Sequence, residues 1–243
     1  MTKALGGRRS LAWGSLAVGL LWAVGLLVYH QRSASPSELT AAALLEPFGG
    51  RAAALGGGPW TGRPLHGEPR QAEWSFKLGV SLVDLRLALA GGDAAAADGS
   101  LRQILAVLDR GDLSVAPAVR QAYQSILDAL RRGAAPRSQL GRADEREAQG
   151  LGGSIEPLLF DLGRWVEAAR RSAAAHRPEV LTSRAARHVL DRALAPGKDQ
   201  VDPAVQAAVR GLRVSAGGGD GGGRLDYPRL EGFCREILEH FVP

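Results

Sequence analysis

Residues 74–90 read WSFKLGVSLVDLRLALA, and residues 155–173 read IEPLLFDLGRWVEAARRSA. The first stretch is ambiguous, because Leu78, Val80 and Leu82 alternate as in a strand while two helical rows also pass through it. Those rows are Phe76, Val80, Val83, Leu87 and Leu78, Leu82, Leu85, Leu89. The second stretch follows helical spacing alone, in the row Ile155, Leu159, Leu162, Val166, Ala169, Ala173. It therefore predicts a helix, and a repeat extends that prediction to the first stretch.

Three blocks of the chain recur in the same order, at offsets that drift from 84 to 86 residues. The matched positions are Phe76, Leu78, Gly79 and Arg86 with Phe160, Leu162, Gly163 and Arg170; Arg102, Ile104 and Leu105 with Arg187, Val189 and Leu190; and Pro117, Val119 and Ala122 with Pro203, Val205 and Ala208. This order predicts an internal duplication. The predicted helices are 73–90, 99–110 and 116–132 in the first copy, 155–175, 181–195 and 203–213 in the second, and a last helix at 228–241.

The rest of the chain divides around these units. We expect a cytoplasmic basic tail at 1–9, a transmembrane signal anchor at 10–30, and a juxtamembrane helix with a Gly/Pro-rich linker at 31–72. Repeat unit 1 covers 73–135, a polar connector 136–153, and repeat unit 2 covers 154–243 with a Gly-rich loop at 215–224. The predicted fold class is all-α: one N-terminal transmembrane helix, then an extracytoplasmic bundle of two similar three-helix units and a C-terminal helix.

The anchor prediction depends on residues 10–28, SLAWGSLAVGLLWAVGLLV, which carry no ionisable side chain. About 20 apolar residues in a helix cross the hydrocarbon core of a bilayer. The alternative is a cleaved signal peptide, whose apolar core is usually shorter, with a cut near Ser33-Ala34-Ser35. Because Lys3, Arg8 and Arg9 precede the span, the positive-inside bias predicts a cytoplasmic N-terminus and an extracytoplasmic or periplasmic C-terminal domain at the inner membrane.

Small residues form a stripe along the predicted span. Ser15, Gly19 and Ala23 follow at four-residue spacing, which leaves a flat surface where another helix can pack closely. They are the candidate transmembrane helix contact, although glycine and alanine are also common throughout this chain.

The net charge of +5 suggests a nucleic-acid binder at first sight. Without Lys3, Arg8 and Arg9, however, the 30 basic residues fall to 27 against 25 acidic ones, and these are interspersed. We therefore expect no nucleic-acid partner. A high content of Ala, Gly and Arg is typical of GC-rich bacterial genomes.

The sequence lacks the motifs of common catalytic and metal sites. Cys234 is the only cysteine, so an intramolecular disulfide and a two-cysteine metal site are both excluded. The five histidines are never three or four residues apart, and no G-x-S-x-G, H-E-x-x-H or phosphate-loop motif occurs. We predict no catalytic residues, cofactor or metal. Asp161 and Arg164, at i, i+3 spacing, predict a modest surface ion pair.

The repeated helices supply the candidate site residues Phe76, Gly79, Phe160, Gly163 and Trp165. In one interpretation the glycines let another helix approach and the aromatic residues fill the core. In the other they form a groove in each copy for a partner helix or a ligand.

Two functional hypotheses remain open. The first is a membrane-anchored interaction or scaffold protein of the bacterial envelope that tethers a protein partner or self-associates. The second is an envelope enzyme or small-ligand-binding module with a site between the two units, drawing on His176, His188, Asp84 and Asp161.

Overall fold

The computed structural model describes residues 44–46, 48, 71–110, 117–150, 155–195, 201–217 and 225–241. All of them belong to the second of the two units into which the chain divides, Leu39–Pro243. The described residues form helices and turns without a strand, so the all-α prediction is confirmed for this part of the chain.

From residue 71 onward the described residues contain eight α-helices. They are α1 (Gln71–Gly91), α2 (Ala94–Arg110), α3 (Pro117–Arg131), α4 (Arg137–Gly150), α5 (Pro157–Ala174), α6 (Arg184–Leu194), α7 (Pro203–Gly217) and α8 (Tyr227–Phe241). The strand-like alternation at 78–82 lies in the middle of α1, because the two apolar rows are both used by a helix that is buried on most sides.

Short polar side chains set several helix starts. Asp93 accepts a hydrogen bond from the Ala96 amide at 2.9 Å, so α2 begins five residues before the predicted start. Ser183 caps α6 by accepting from the Ala186 amide at 3.0 Å. Asp202, as predicted, accepts from the Ala204 amide at 2.8 Å and precedes a proline in the first turn of α7.

Two central helices, α1 and α5, pack along each other and hold the rest of the core. On one side α2 packs on α1, α3 on α2, and α4 on α3. On the other side α6 packs on α5, α7 on α6, and α8 lies against both α5 and α7. Phe241 of α8 reaches α1, where its ring stacks on Phe76 at 4.4 Å between centroids.

Two segments differ from the sequence predictions. The polar connector at 136–153 contains α4, a helix that its composition concealed: Leu140 and Ala143 face inward while most of its other side chains are polar. The Gly-rich loop was predicted to start at 215, but residues 215–217 are the last residues of α7, because glycine follows them only from 217 onward.

Within the part of the chain that the structure describes, no helix combines the length and apolar character needed to span a bilayer. The predicted anchor at 10–30, its stripe of Ser15, Gly19 and Ala23, and most of the segment 31–72 lie outside the described residues. The anchor therefore stays a prediction.

Candidate functional site

The repeated Phe-x-Leu-Gly motif lies where α1 and α5 cross. A Cβ atom on Gly79 would overlap the carbonyl oxygen of Phe160 and lie 2.9 Å from the amide nitrogen of Arg164. A Cβ atom on Gly163 would overlap the carbonyl oxygen of Phe76 and lie 3.0 Å from its carbonyl carbon. Each glycine thus contacts the backbone beside the other copy's motif phenylalanine. The two motifs make one reciprocal contact, and neither glycine tolerates a side chain.

The other residues of the candidate site are also buried at this crossing. Phe76 is fully buried, and Phe160 is covered by the Arg164 guanidinium, which lies 3.8 Å from the ring centre. Trp165 is fully buried as well, and its indole Nε1 has no hydrogen-bond partner among the described residues. In this structure the space beside each motif is occupied by the other central helix.

A buried charge cluster, consisting of Asp84, Glu167, Arg170 and Arg171, joins the same two helices. Arg171 donates to Asp84 Oδ1 and to Glu167 Oε1, each at 2.6 Å. Arg170 donates to Glu167 Oε2 at 2.8 Å. All four residues are at most 7% exposed. Such a cluster is stabilised by its internal hydrogen bonds, because an unpaired charge at this depth would cost several kcal/mol.

The protonation of the cluster follows from its burial. Burial raises the pKa of Asp84 to about 8, and the nearby charge of Glu167 raises it further, while the Arg171 guanidinium lowers it. At neutral pH the proton on Asp84 therefore separates two carboxyl groups that would otherwise repel. Cys234 of α8 lies in the same neighbourhood, where burial and then the Glu167 charge raise its thiol pKa. The thiol is not a reactive one at neutral pH.

A second group of polar side chains surrounds Arg164. Arg86 of α1 forms an ion pair with Asp144 of α4. Burial lowers the pKa of Arg164 to about 10, and the buried Tyr123 of α3 and Asp144 act against that shift. The pKa of Tyr123 is raised, chiefly by burial. This group ties α3 and α4 to the central pair of helices.

An open cavity of about 320 Å³ lies at the first turns of α1 and α5. Its walls combine Gln71 of the first unit with residues of the second: Ile155, Glu156, Pro157, Leu158 and Arg192. Arg192 of α6 donates to Asp161 Oδ2 at 3.0 Å. The Glu156 amide donates to Ser75 Oγ at 2.9 Å, which fixes the entry of α5 against α1. The cavity is thus a polar recess between the two predicted units.

The four polar residues proposed for a site between the units are not brought together. Asp84 belongs to the buried charge cluster, and Asp161 is paired with Arg192. His176 stacks on Tyr227 with ring centres 5.0 Å apart, and His188 is exposed on α6. None of them lines the cavity described above. Among the described residues, no group of three His, Cys, Asp or Glu side chains could hold a metal ion.

The sequence analysis missed the buried charges of α5. It predicted a surface ion pair for Asp161 and Arg164, but both residues are only 2% exposed, so the surface location is wrong. The error came from treating α5 as amphipathic, although α1, α6 and α8 enclose it. A signal existed: α1, its counterpart in the repeat, has apolar rows on two sides, as expected for a helix enclosed on most sides.

Comparison of the chain with family models, curated proteins and solved structures found no match. The functional argument therefore depends on the residues and geometry described above.

Proposed function

We propose that the chain is a membrane-anchored interaction protein of the bacterial cell envelope. In this proposal residues 10–30 form one span with a cytoplasmic N-terminus. The helical units lie outside the cytoplasm and tether a partner protein or a second copy of the chain. Confinement at a membrane raises the effective concentration of whatever is tethered there, so the function needs no catalytic group.

One observation supports the proposal most: the charged side chains of the core pair with one another rather than converging on a cleft. Arg171 bridges Asp84 and Glu167 between the two central helices, and the reciprocal glycine contact adjoins them. A catalytic constellation needs titratable groups that can reach a substrate. Groups locked between α1 and α5 instead make the joint rigid, as suits a body that presents its outer faces to a partner.

The test of tethering is crosslinking and co-purification of the full chain, compared with a chain lacking residues 1–30. We expect the full chain to retain a specific protein or a second copy, and the shortened chain to lose much of it because the effective concentration falls. Monomer alone in both preparations contradicts the proposal. Sequencing the N-terminus of the membrane-fraction protein tests the anchor, because a mature N-terminus near Ser35 or Pro36 would show a cleaved signal.

The small-residue stripe has its own test. Leucine at Ser15, Gly19 and Ala23 should weaken self-association in the membrane if that stripe is the contact, since bulky side chains keep helices apart. Leucine at Ala17 and Val24 is the matched control on other positions of the same span. Equal crosslinking of all three chains would assign the contact to the helical units.

The cavity at the first turns of α1 and α5 favours a second candidate, a small-ligand-binding module with its site between the units. A volume of about 320 Å³ lies at the lower end of the range for ligand sites. Gln71→Trp would narrow the cavity from an exposed position without disturbing the core. A small molecule that raises the melting temperature of the natural chain but not of Gln71→Trp would support this candidate, and no such molecule in a broad metabolite screen would count against it.

A further inference from the structure

The outer side of α6 and α7 carries a basic face, defined here as the exposed residues Arg184, Arg187, Arg210, Arg213 and Val214 with the single acidic residue Asp191. Four arginines and one aspartate leave this face with a net charge of +3. His188 lies on the same side of α6. The face is contiguous across both helices, because Arg213 of α7 and Asp191 of α6 form an ion pair at 3.0 Å with both side chains more than half exposed.

An apolar residue lies within the positive charge. Val214 is 76% exposed and is the one large hydrophobic residue so exposed in the described part of the chain. Arg210, Arg213 and Val214 follow at i, i+3 and i+4, so they share one side of α7. An aliphatic side chain surrounded by arginines fits a surface that combines anionic groups with hydrocarbon close beneath them.

The corresponding surface of the first unit lacks this character. At the repeat offset of 86, Arg210, Arg213 and Val214 of α7 correspond to Gln124, Leu127 and Asp128 of α3. On α6 and α2, at an offset of 85, Arg184 corresponds to Gly99. The basic face is therefore a feature of the second unit alone, and packing of the shared helices does not require it.

We propose that the basic face docks on the anionic surface of the membrane that anchors the chain. The inference rests on the proposed function, since it assigns the tethered domain a resting orientation. The segment from 31 to 70 provides about 40 residues between the predicted span and α1, which is enough chain for the face to reach the bilayer. Each arginine near an anionic surface strengthens the association about fivefold, and the effect decays within a Debye length.

Docking is measured by energy transfer from a dye on the domain to acceptors on lipid headgroups, with the full chain in liposomes. Cys234 is fully buried, so Ala207→Cys on the exposed side of α7 gives the reactive thiol. Gln121→Cys, at the matching position of α3, is the control site. We expect stronger transfer from residue 207 in phosphatidylcholine liposomes with 30% phosphatidylglycerol than in pure phosphatidylcholine, and a loss of that difference in 0.5 M salt.

Charge reversal tests the face itself. Arg184→Glu with Arg187→Glu should abolish the dependence on phosphatidylglycerol, whereas Arg102→Glu with Arg120→Glu, an equal change in net charge on the first unit, should preserve it. Equal transfer from residue 207 in both lipids, or equal loss in both double variants, overturns the inference. A crosslink from the face to an acidic protein, with no dependence on lipid charge, overturns it in favour of a protein partner.

The two proposals fail in different ways. If the chain is not anchored, it leaves the liposomes in 1 M salt, and the proposed function fails together with the premise of docking. If only docking is wrong, the chain stays in the liposomes at every salt concentration while transfer from residue 207 does not respond to lipid charge.

Discussion

Gly79 and Gly163 set the distance between the two central helices, because the backbone of the opposite helix occupies the place of a side chain at each of them. A methyl group there can be accommodated only if α1 and α5 move apart, which opens the core around Phe76 and Trp165. These two positions differ from the other helical glycines of the described chain in that the obstacle is backbone rather than a movable side chain or open space.

Gly79→Ala should lower the free energy of unfolding by about 3 kcal/mol, since overpacking against a rigid helix leaves no cheap relaxation. Urea denaturation measures the effect. The matched control is Gly99→Ala in α2, where a Cβ meets nothing within 4 Å. There we expect a gain of about 0.5–1 kcal/mol from helix propensity. Equal effects of the two substitutions would mean that the helices do not cross so closely.

His176 follows the last turn of α5 with a φ of 56°, a left-handed conformation that favours glycine. The Arg177 amide donates to the Ser172 carbonyl at 2.8 Å and so closes the helix end around it. His176→Gly and His176→Ala both remove the stack on Tyr227, so their difference isolates the backbone. The glycine variant should be more stable than the alanine variant by about 1 kcal/mol in thermal or urea unfolding. Equal stabilities would contradict the left-handed conformation.

At the scale of elements, the apolar periodicity predicted most of the helices and the repeat predicted the Phe-x-Leu-Gly residues that matter. Periodicity failed for α4, whose inward side consists of little more than Leu140 and Ala143. It also could not place the charges of α5, because periodicity tells which side of a helix is apolar and not whether its other sides are covered. The basic face of α6 and α7 could be read as exposed charge, but its continuity depends on which helices become neighbours.

The raised pKa of Asp84 gives the joint between α1 and α5 a dependence on pH. An unfolded aspartate ionises near pH 4, whereas Asp84 in the folded chain keeps its proton to about pH 8. Between these values the folded state binds one more proton. The free energy of unfolding should therefore fall as the pH rises, by at most about 1.4 kcal/mol per unit, and level off above pH 8.

Urea denaturation from pH 5 to 9 tests this prediction by comparing the natural chain with Asp84→Asn, which cannot ionise. The difference in stability between the two should move in favour of Asp84→Asn up to about pH 8. Asp109→Asn is the control, because Asp109 is an exposed partner of Arg120 on the outer surface. Parallel profiles for the natural chain and Asp84→Asn would show that Asp84 is ionised in the folded state.

At the scale of the whole molecule, the reciprocal contact joins the two units into one cooperative body. The two motifs share one crossing, and the buried charge cluster spans the same helices, so neither central helix keeps its environment when the other opens. This arrangement suits a tethered domain that has to present its outer faces in fixed relation. It also means that a defect in the first unit should be felt in the second.

Hydrogen exchange followed by peptide mass tests that coupling. In the natural chain the most protected amides of α1 and α5 should open with the same free energy, and Gly79→Ala should lower both by the same amount although residue 79 lies in the first unit. Gly99→Ala should leave α5 unchanged or slightly more protected. If Gly79→Ala exposes only α1, α2 and α3 while α5 keeps its protection, the units are independent domains. The rigid presentation that underlies the proposed function would then have to come from the second unit alone.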